Sequence, residues 1–392
     1  MKNFEYYAPT RVVFGKDTEK KAGELAKACG ASRVLVHFGG GSAKKSGLLD
    51  RICASLTEAG LSYVMLGGVV PNPRLSLVHQ GIELCKKEQV DFILAVGGGS
   101  VIDSAKAIGY GLYHNCDPWL FYDRKTVASG CIPIGAVPTI AAAGSEMSDS
   151  SVITNEDGWL KRGYSSDYSR CRFAIMNPEL TCTLPPYQTA SGCTDILMHT
   201  MERYFSHEKH TDLTDSISEA LMRTVMKNAR ILMEDPRNYD ARAEIMWAGS
   251  LSHNGLTGCG TAGDWASHQI EHELGGMFDV AHGAGLAAVW GSWARYVYQE
   301  EPEKFAQFAV QVMGVPADAG TAEETALAGI RAMEDFFHSI GMPTSLRELG
   351  AVPTEEQMKE MAQKCVFFGR RTVGGFRVLH AEDIEAIYRM AL

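Results

Sequence analysis

The run Phe92-Ile93-Leu94-Ala95-Val96 is apolar at every position, and Gly97-Gly98-Gly99-Ser100 follows it at once, opening a helix-like segment. A strand apolar on both faces must be covered on both faces, as in a parallel sheet flanked by helices. The same alternation precedes it. Residues 33–38 and 61–66 read as β-rich strands, and residues 48–59 and 75–88 carry helical spacing. Alternating strand and helix predicts βαβ units and a doubly wound, Rossmann-like parallel sheet.

This pattern stops near Leu184-Pro185-Pro186. Beyond it no run reads convincingly as a strand. Residues 188–205, 213–233, 241–256, 266–274, 305–313, 323–340, 355–365 and 381–390 carry helical spacing, punctuated by Pro236, Pro302, Pro316, Pro343 and Pro353. A chain of 392 residues suits two such units. The expectation is an α/β domain over residues 1–184 and an all-helical domain over 185–392.

Composition narrows the function. Lys and Arg number 37 against 47 Asp and Glu, a net charge of −10, which opposes nucleic-acid binding. The longest uncharged stretch, 126–145, contains Pro133, Pro138, Gly130, Gly135 and Gly144, so it reads as strand and loop and not as a membrane span. The first residues show no apolar run behind a basic start, unlike an ordinary secretory signal. Ten cysteines contain no C-x-x-C pair and read as reduced thiols. A cytoplasmic protein is expected, with no membrane and no nucleic-acid partner.

Two glycine loops end predicted strands: Gly39-Gly40-Gly41-Ser42, and Gly97-Gly98-Gly99-Ser100 before Val101-Ile102-Asp103. Such loops let backbone N–H groups approach phosphate, and a helix N-terminus adds partial positive charge. Neither completes G-x-G-x-x-G, since Ile102 and Lys44 stand at the last glycine, and the first also misses the Walker A pattern. Each alone is as consistent with a tight turn. Two at the carboxyl ends of parallel strands favour a nucleotide.

In the helical half, Asp195 and His199 lie four apart, as do His268 and His272, and residues so spaced share a helix face. His282 follows in what reads as a glycine-rich turn, Val280 to Gly285. Three imidazoles and a carboxylate would suit Zn²⁺ or Fe²⁺. An ordinary hydrogen-bonded histidine is the commoner case for any one of them. His268-Gln269-Ile270-Glu271-His272 also matches the H-x-x-E-H zinc-peptidase pattern, with Glu271 as base, but that leaves the α/β half without a task.

Taken together, these residues resemble the iron-containing (group III) alcohol dehydrogenase family, and within it the NADPH-dependent butanol dehydrogenase and aldehyde reductase branch. The likeness runs through Pro9 to Gly15, Pro71-Asn72-Pro73, Gly97 to Asp103, Pro138-Thr139, Gly144-Ser145-Glu146, Asn177-Pro178-Glu179-Leu180, Asp195, His199, Trp265 to His268, His272-Glu273-Leu274 and His282-Gly283. It implies one divalent metal, Fe²⁺ or Zn²⁺, on Asp195, His199, His268 and His282, with His272 beside it as a candidate proton relay. It implies a cofactor held by Gly39, Gly40, Gly41, Ser42, Asn72, Gly98, Gly99, Ser100, Asp103, Thr139, Ala143, Lys161 and Leu180. The family often has Thr where this chain has Ala143, and Asp where it has Asn177. The implied reaction is hydride transfer between a nicotinamide cofactor and a short-to-medium-chain aldehyde or primary alcohol, and a homodimer is expected. A glycerol dehydrogenase-like polyol oxidoreductase is the alternative, and dehydroquinate synthase-like enzymes share the domain plan.

The cofactor expected is NADP(H) in preference to NAD(H). An acid after the second strand would bind the ribose 2′-hydroxyl and repel a 2′-phosphate. Here none occurs between Phe38 and Asp50, and Ser42, Lys44 and Lys45 stand in its place.

Overall fold

The computed structural model describes residues 1–318 and 320–392. They form two compact units, Tyr7–Leu184, and Pro185–Leu392 together with Met1–Tyr6. The first six residues, assigned from sequence to the α/β domain, lie instead with the helices. The Lys2 backbone N–H donates to the Gly260 carbonyl at 2.9 Å, and the Lys2 ammonium pairs with Glu208 at 2.9 Å.

The first unit contains strands β1 (Arg11–Phe14), β2 (Arg33–Phe38), β3 (Ser62–Leu66), β4 (Phe92–Gly97), β5 (Ile134–Pro138), β6 (Ser150–Asn155), β7 (Leu160–Ser165) and β8 (Phe173–Met176). Six form one sheet in the order β1-β8-β5-β4-β2-β3, every pair parallel. Helices α1 (Ala22–Ala28), α2 (Ser42–Lys45), α3 (Leu48–Glu58), α4 (Leu75–Glu88), α5 (Gly99–His114) and α6 (Trp119–Tyr122) connect and cover it. Alternate residues of the central strands feed two cores. Leu35, Ile93, Ala95 and Ala136 pack with residues of α4 and α5, whereas Val34, Val36, Leu94 and Val137 pack with those of α1 and α3. All of β4 is buried, as its unbroken apolar run requires, and each large side chain so buried contributes roughly 1.5–3 kcal/mol.

The strand order reverses between β2 and β4, with β3 on one side and β5 and β8 on the other. In open parallel sheets that reversal leaves a crevice at the carboxyl ends of the strands. Both glycine loops leave from those ends. The antiparallel hairpin β6-β7 was not evident from sequence, because Ser150, Ser151, Thr154, Lys161 and Arg162 break any apolar alternation.

The second unit consists of α7 (Pro186–Tyr204), α8 (Asp212–Glu234), α9 (Tyr239–His253), α10 (Ala266–Phe278), α11 (His282–Val297), α12 (Pro302–Gln311), α13 (Ala322–Ser339), α14 (Leu346–Leu349), α15 (Glu355–Cys365) and α16 (Ala381–Met390). Here α11 corrects the sequence reading. His282 is its first residue, and Gly283, Gly285 and Gly291 lie inside the helix, not in a turn. Thirteen of its sixteen residues are buried, Trp290 and Trp293 among them. A helix buried all round shows no polar stripe, so its periodicity is silent. Among the described residues no helix is long and apolar enough to cross a membrane.

Candidate active site

Asp195 and His199 sit one turn apart on α7, His268 and His272 one turn apart on α10, and His282 opens α11. Ligand atoms of Asp195, His268 and His282 lie within 4.8 Å of one another, and those of Glu271, His272 and His282 form a second such group. Asp195 Oδ1 is 3.8 Å from His268 Nε2 and 3.7 Å from His282 Nε2. His199 is beside them but set differently. Its Nδ1 is 3.0 Å from Asp195 Oδ1 and 2.9 Å from the Asp195 carbonyl oxygen, and its ring centroid is 4.4 Å from that of His268.

The donor set fits a divalent cation. Asp195 Oδ1 and His268 Nε2 are buried and receive or make no hydrogen bond, although buried polar atoms nearly always find a partner. Asp195, Glu202, Asp264, Glu271 and Glu273 are all buried in this unit. Burial acts to raise the Asp195 carboxyl, yet the imidazoles of His199, His282 and His268 outweigh it and hold the group well below the usual carboxylate range. Burial lowers the His199 imidazole to about 4 against the pull of Asp195. At His268 burial is overcome by Asp195 and Glu202, which raise the ring to about 9, so the field there favours positive charge.

Glu202, Arg203 and His253, which also surround this cluster, were not singled out from sequence, and Glu271 was read there only as the base of a peptidase pattern. Glu202 accepts the backbone N–H of His268 at 2.8 Å and faces its Nδ1 at 3.0 Å. Glu271 is hydrogen-bonded to His282 Nδ1. His253, at the end of α9, packs against His199 with ring centroids 4.1 Å apart and planes tilted by 60°, and its Nδ1 accepts from Arg203 at 2.9 Å. Trp265 precedes α10 at φ 68°, a left-handed conformation costly for a large residue, with the Arg203 guanidinium 4.5 Å from its ring. Of the residues missed, Glu202 left a usable signal: it stands three residues after His199 and seven after Asp195, on one helical face.

In the α/β unit, Gly98 precedes α5 in an extended conformation, and no side chain caps the helix. A Cβ on Gly98 would meet Ile140 Cγ2 at 2.5 Å, and one on Gly99 would lie 3.7 Å from Ala143. The Thr139 N–H donates to Gly97 at 3.1 Å, and Gly68 to Gly39 at 3.0 Å. Gly39 adjoins Val101 of the first turn of α5, so the loops after β2, β4 and β5 converge. Gly40, Gly41 and Ser42 are exposed beside them, Ser42 as the first residue of α2. Ser100 lies in the first turn of α5. Asp103 is turned to protein groups: it accepts from Ser145 Oγ at 2.6 Å and from the Val152 N–H at 2.9 Å. Lys106, one turn on and fully buried, donates to the carbonyls of Ser145, Ser148 and Ser150. Asn72 is buried in a left-handed conformation before Pro73, whose carbonyl accepts from Thr154, and Thr154 pairs with Lys161 across the hairpin. Leu180 packs against the core on the α1–α3 side of the sheet, and no recorded contact brings it to the glycine loops. Asn177, where the family often has Asp, donates from Nδ2 to Glu19 at 2.9 Å, which a carboxylate could not do.

Residues 9–178 match the family model for iron-containing alcohol dehydrogenase, and residues 189–392 match the C-terminal model of the Fe-containing alcohol dehydrogenase family. The chain belongs to the iron-containing alcohol dehydrogenase family and is an oxidoreductase. It is 38% identical over 390 residues to the NADH-dependent butanol dehydrogenase A of Clostridium acetobutylicum, covering 99% of each chain. It is 35% identical over 354 residues to an NADPH-dependent aldehyde reductase of Escherichia coli, covering 89% of this chain and 90% of that one. Among solved structures it is similar to an NADH-dependent butanol dehydrogenase A of Thermotoga maritima, with TM-score 0.95 and 38% identity over 100% of this chain and 99% of the other. Family membership sets aside the H-x-x-E-H peptidase reading, and Glu271, its required base, is turned to His282.

Proposed function

We propose that this chain interconverts short-to-medium-chain aldehydes and primary alcohols by hydride transfer, with NADP(H) preferred over NAD(H) and one Fe²⁺ or Zn²⁺ on Asp195, His199, His268 and His282. The observation that carries the reading is the convergence of buried Asp195 and His268 with half-buried His282, with Asp195 Oδ1 and His268 Nε2 lacking hydrogen-bond partners. A divalent ion bound there supplies a Lewis acid for a carbonyl oxygen.

The chain's own residues do the rest. Backbone N–H groups of Gly98, Gly99 and Ser100 at the start of α5 bind the cofactor pyrophosphate. Gly39, Gly40, Gly41 and Ser42 leave room for the adenosine ribose. Asn72, Thr139, Ala143 and Lys161 complete the cofactor site, and Asp103 serves it by holding Ser145 and Val152 in place. His272, whose ring centroid is 5.9 Å from that of His282, delivers the proton to the product oxygen.

The names of the relatives divide between NADH and NADPH. Preference for NADP(H) therefore rests on this chain's loop, where Ser42, Lys44 and Lys45 replace an acid that would repel a 2′-phosphate. A cytoplasmic homodimer belongs to the same proposal. The ten cysteines are all free, and light scattering on the purified protein tests the dimer.

The deciding experiment strips the metal, restores Fe²⁺ or Zn²⁺, and follows NADPH and NADH oxidation with a panel of aldehydes and polyol-derived carbonyls. Restored turnover on aldehydes, faster with NADPH, is expected. Full turnover in the stripped protein would refute the metal assignment, and a preference for polyol-derived carbonyls would favour the glycerol dehydrogenase-like alternative.

A further inference from the structure

We propose that Glu202 and Glu271 are positioning residues, each fixing the Nδ1 of one histidine so that its Nε2 faces Asp195; the inference rests on the metal reading above. The two histidines are held in the same way from opposite partners. His268 has Nδ1 at 3.0 Å from Glu202 Oε1 and Nε2 at 3.8 Å from Asp195 Oδ1. His282 has Nδ1 on Glu271 Oε2 and Nε2 at 3.7 Å from the same Asp195 oxygen. An ionised carboxylate only accepts, so each ring donates from Nδ1 and turns Nε2, the atom a cation would take, towards Asp195. His199 has a backbone substitute, the Asp195 carbonyl at 2.9 Å from its Nδ1.

The helices are interlocked through these contacts. α7 supplies Asp195 and, two turns on, the Glu202 that steadies His268 of α10. α10 in turn supplies Glu271, three residues after His268, which steadies His282 of α11. The seat for Glu271 is built into α11: a Cβ on Gly285 would stand 2.9 Å from Glu271 Cγ and 3.0 Å from Oε1. Both carboxylates are almost wholly buried, so water cannot stand in for them.

The test uses the full-length protein, metal-stripped, with Co²⁺ as the probe. Competition against a chromophoric chelator should show Glu202→Gln and Glu271→Gln binding Co²⁺ 10–100-fold more weakly than the wild type. Gly285→Ala, which leaves every acid in place but crowds Glu271, should reproduce the Glu271→Gln loss, and the double variant should lose little more. Proton spectra of the Co²⁺ protein should contain strongly shifted, exchangeable imidazole N–H signals. Glu202→Gln should perturb only the His268 signal, and Glu271→Gln only that of His282. Co²⁺ affinity within about twofold of wild type in both Gln variants, or loss of both signals in either one, overturns the positioning role. A wild-type protein that takes up no Co²⁺ overturns the metal reading itself, and this inference with it.

Discussion

A Cβ on Gly283 would stand 2.0 Å from the carbonyl oxygen of Ser191, so the first turn of α11 lies directly against α7. That approach places His282 within reach of Asp195. Gly283→Ala forces backbone apart and should cost roughly 1–3 kcal/mol of stability, together with most of the metal affinity. Urea unfolding and elemental analysis check it. An unchanged midpoint with a full metal complement would show that this contact does not set the position of His282.

Replacing Asp195, His199, His268 or His282 by Ala should remove bound metal and turnover together. His199 is the informative case, because its Nδ1 faces its own helix while its ring lies between the tilted rings of His253 and His268. Metal content is the primary readout. Full activity in a metal-free His268→Ala protein would end the mechanism proposed above.

Gly40→Asp should shift the ratio of kcat/KM for NADPH over NADH downward by at least tenfold, about 1.4 kcal/mol. The substitution is sterically clean, since a Cβ at Gly40 meets nothing within 4 Å. Any change therefore reports charge. If NADPH use is untouched, the 2′-phosphate is bound elsewhere.

Lys106→Met should loosen the loop from Ser145 to Ser150. Three carbonyls, at 2.7–2.9 Å from the ammonium, would lose their common donor inside the protein. Leaving buried acceptors unsatisfied costs roughly 1–3 kcal/mol apiece before relaxation. Lower stability and a several-fold weaker NADPH Kd by fluorescence titration are the expected outcome. Unaltered cofactor affinity would separate this staple from the cofactor site.

His37, on β2, is buried between the Leu66 carbonyl and Ser104 Oγ, each 2.9 Å away. Burial lowers its imidazole from 6.5 to about 4, against the backbone bond to Leu66. Above pH 6.5 the ring is neutral in both folded and unfolded chains. As pH falls from 6.5 towards 4 the unfolded chain takes up a proton that the folded one refuses, so stability is lost across that window, by roughly 3 kcal/mol in all. Urea unfolding of wild type and His37→Gln at several pH values should show a shallower acid loss in the variant. Parallel curves would contradict it.

Some of this protein follows from local sequence alone. The all-apolar strand at 92–96 demands helices on both faces, and glycines after strands 33–38 and 92–96 mark the carboxyl edge where ligands bind, since those constraints act over a few residues. The four-residue spacing of Asp195 and His199 fixes a shared helix face for the same reason. The rest was decided by packing. Glu202 meets His268 across 66 residues of chain, and no periodicity reports which distant acid will face which ring. The hairpin at 150–165 carries too many polar residues to alternate. His282 was legible as a ligand candidate but not as the start of a helix, because α11 is buried on every side and presents no contrast between faces. Periodicity records one-sided burial; where a segment is enclosed by its neighbours, only those neighbours determine its shape.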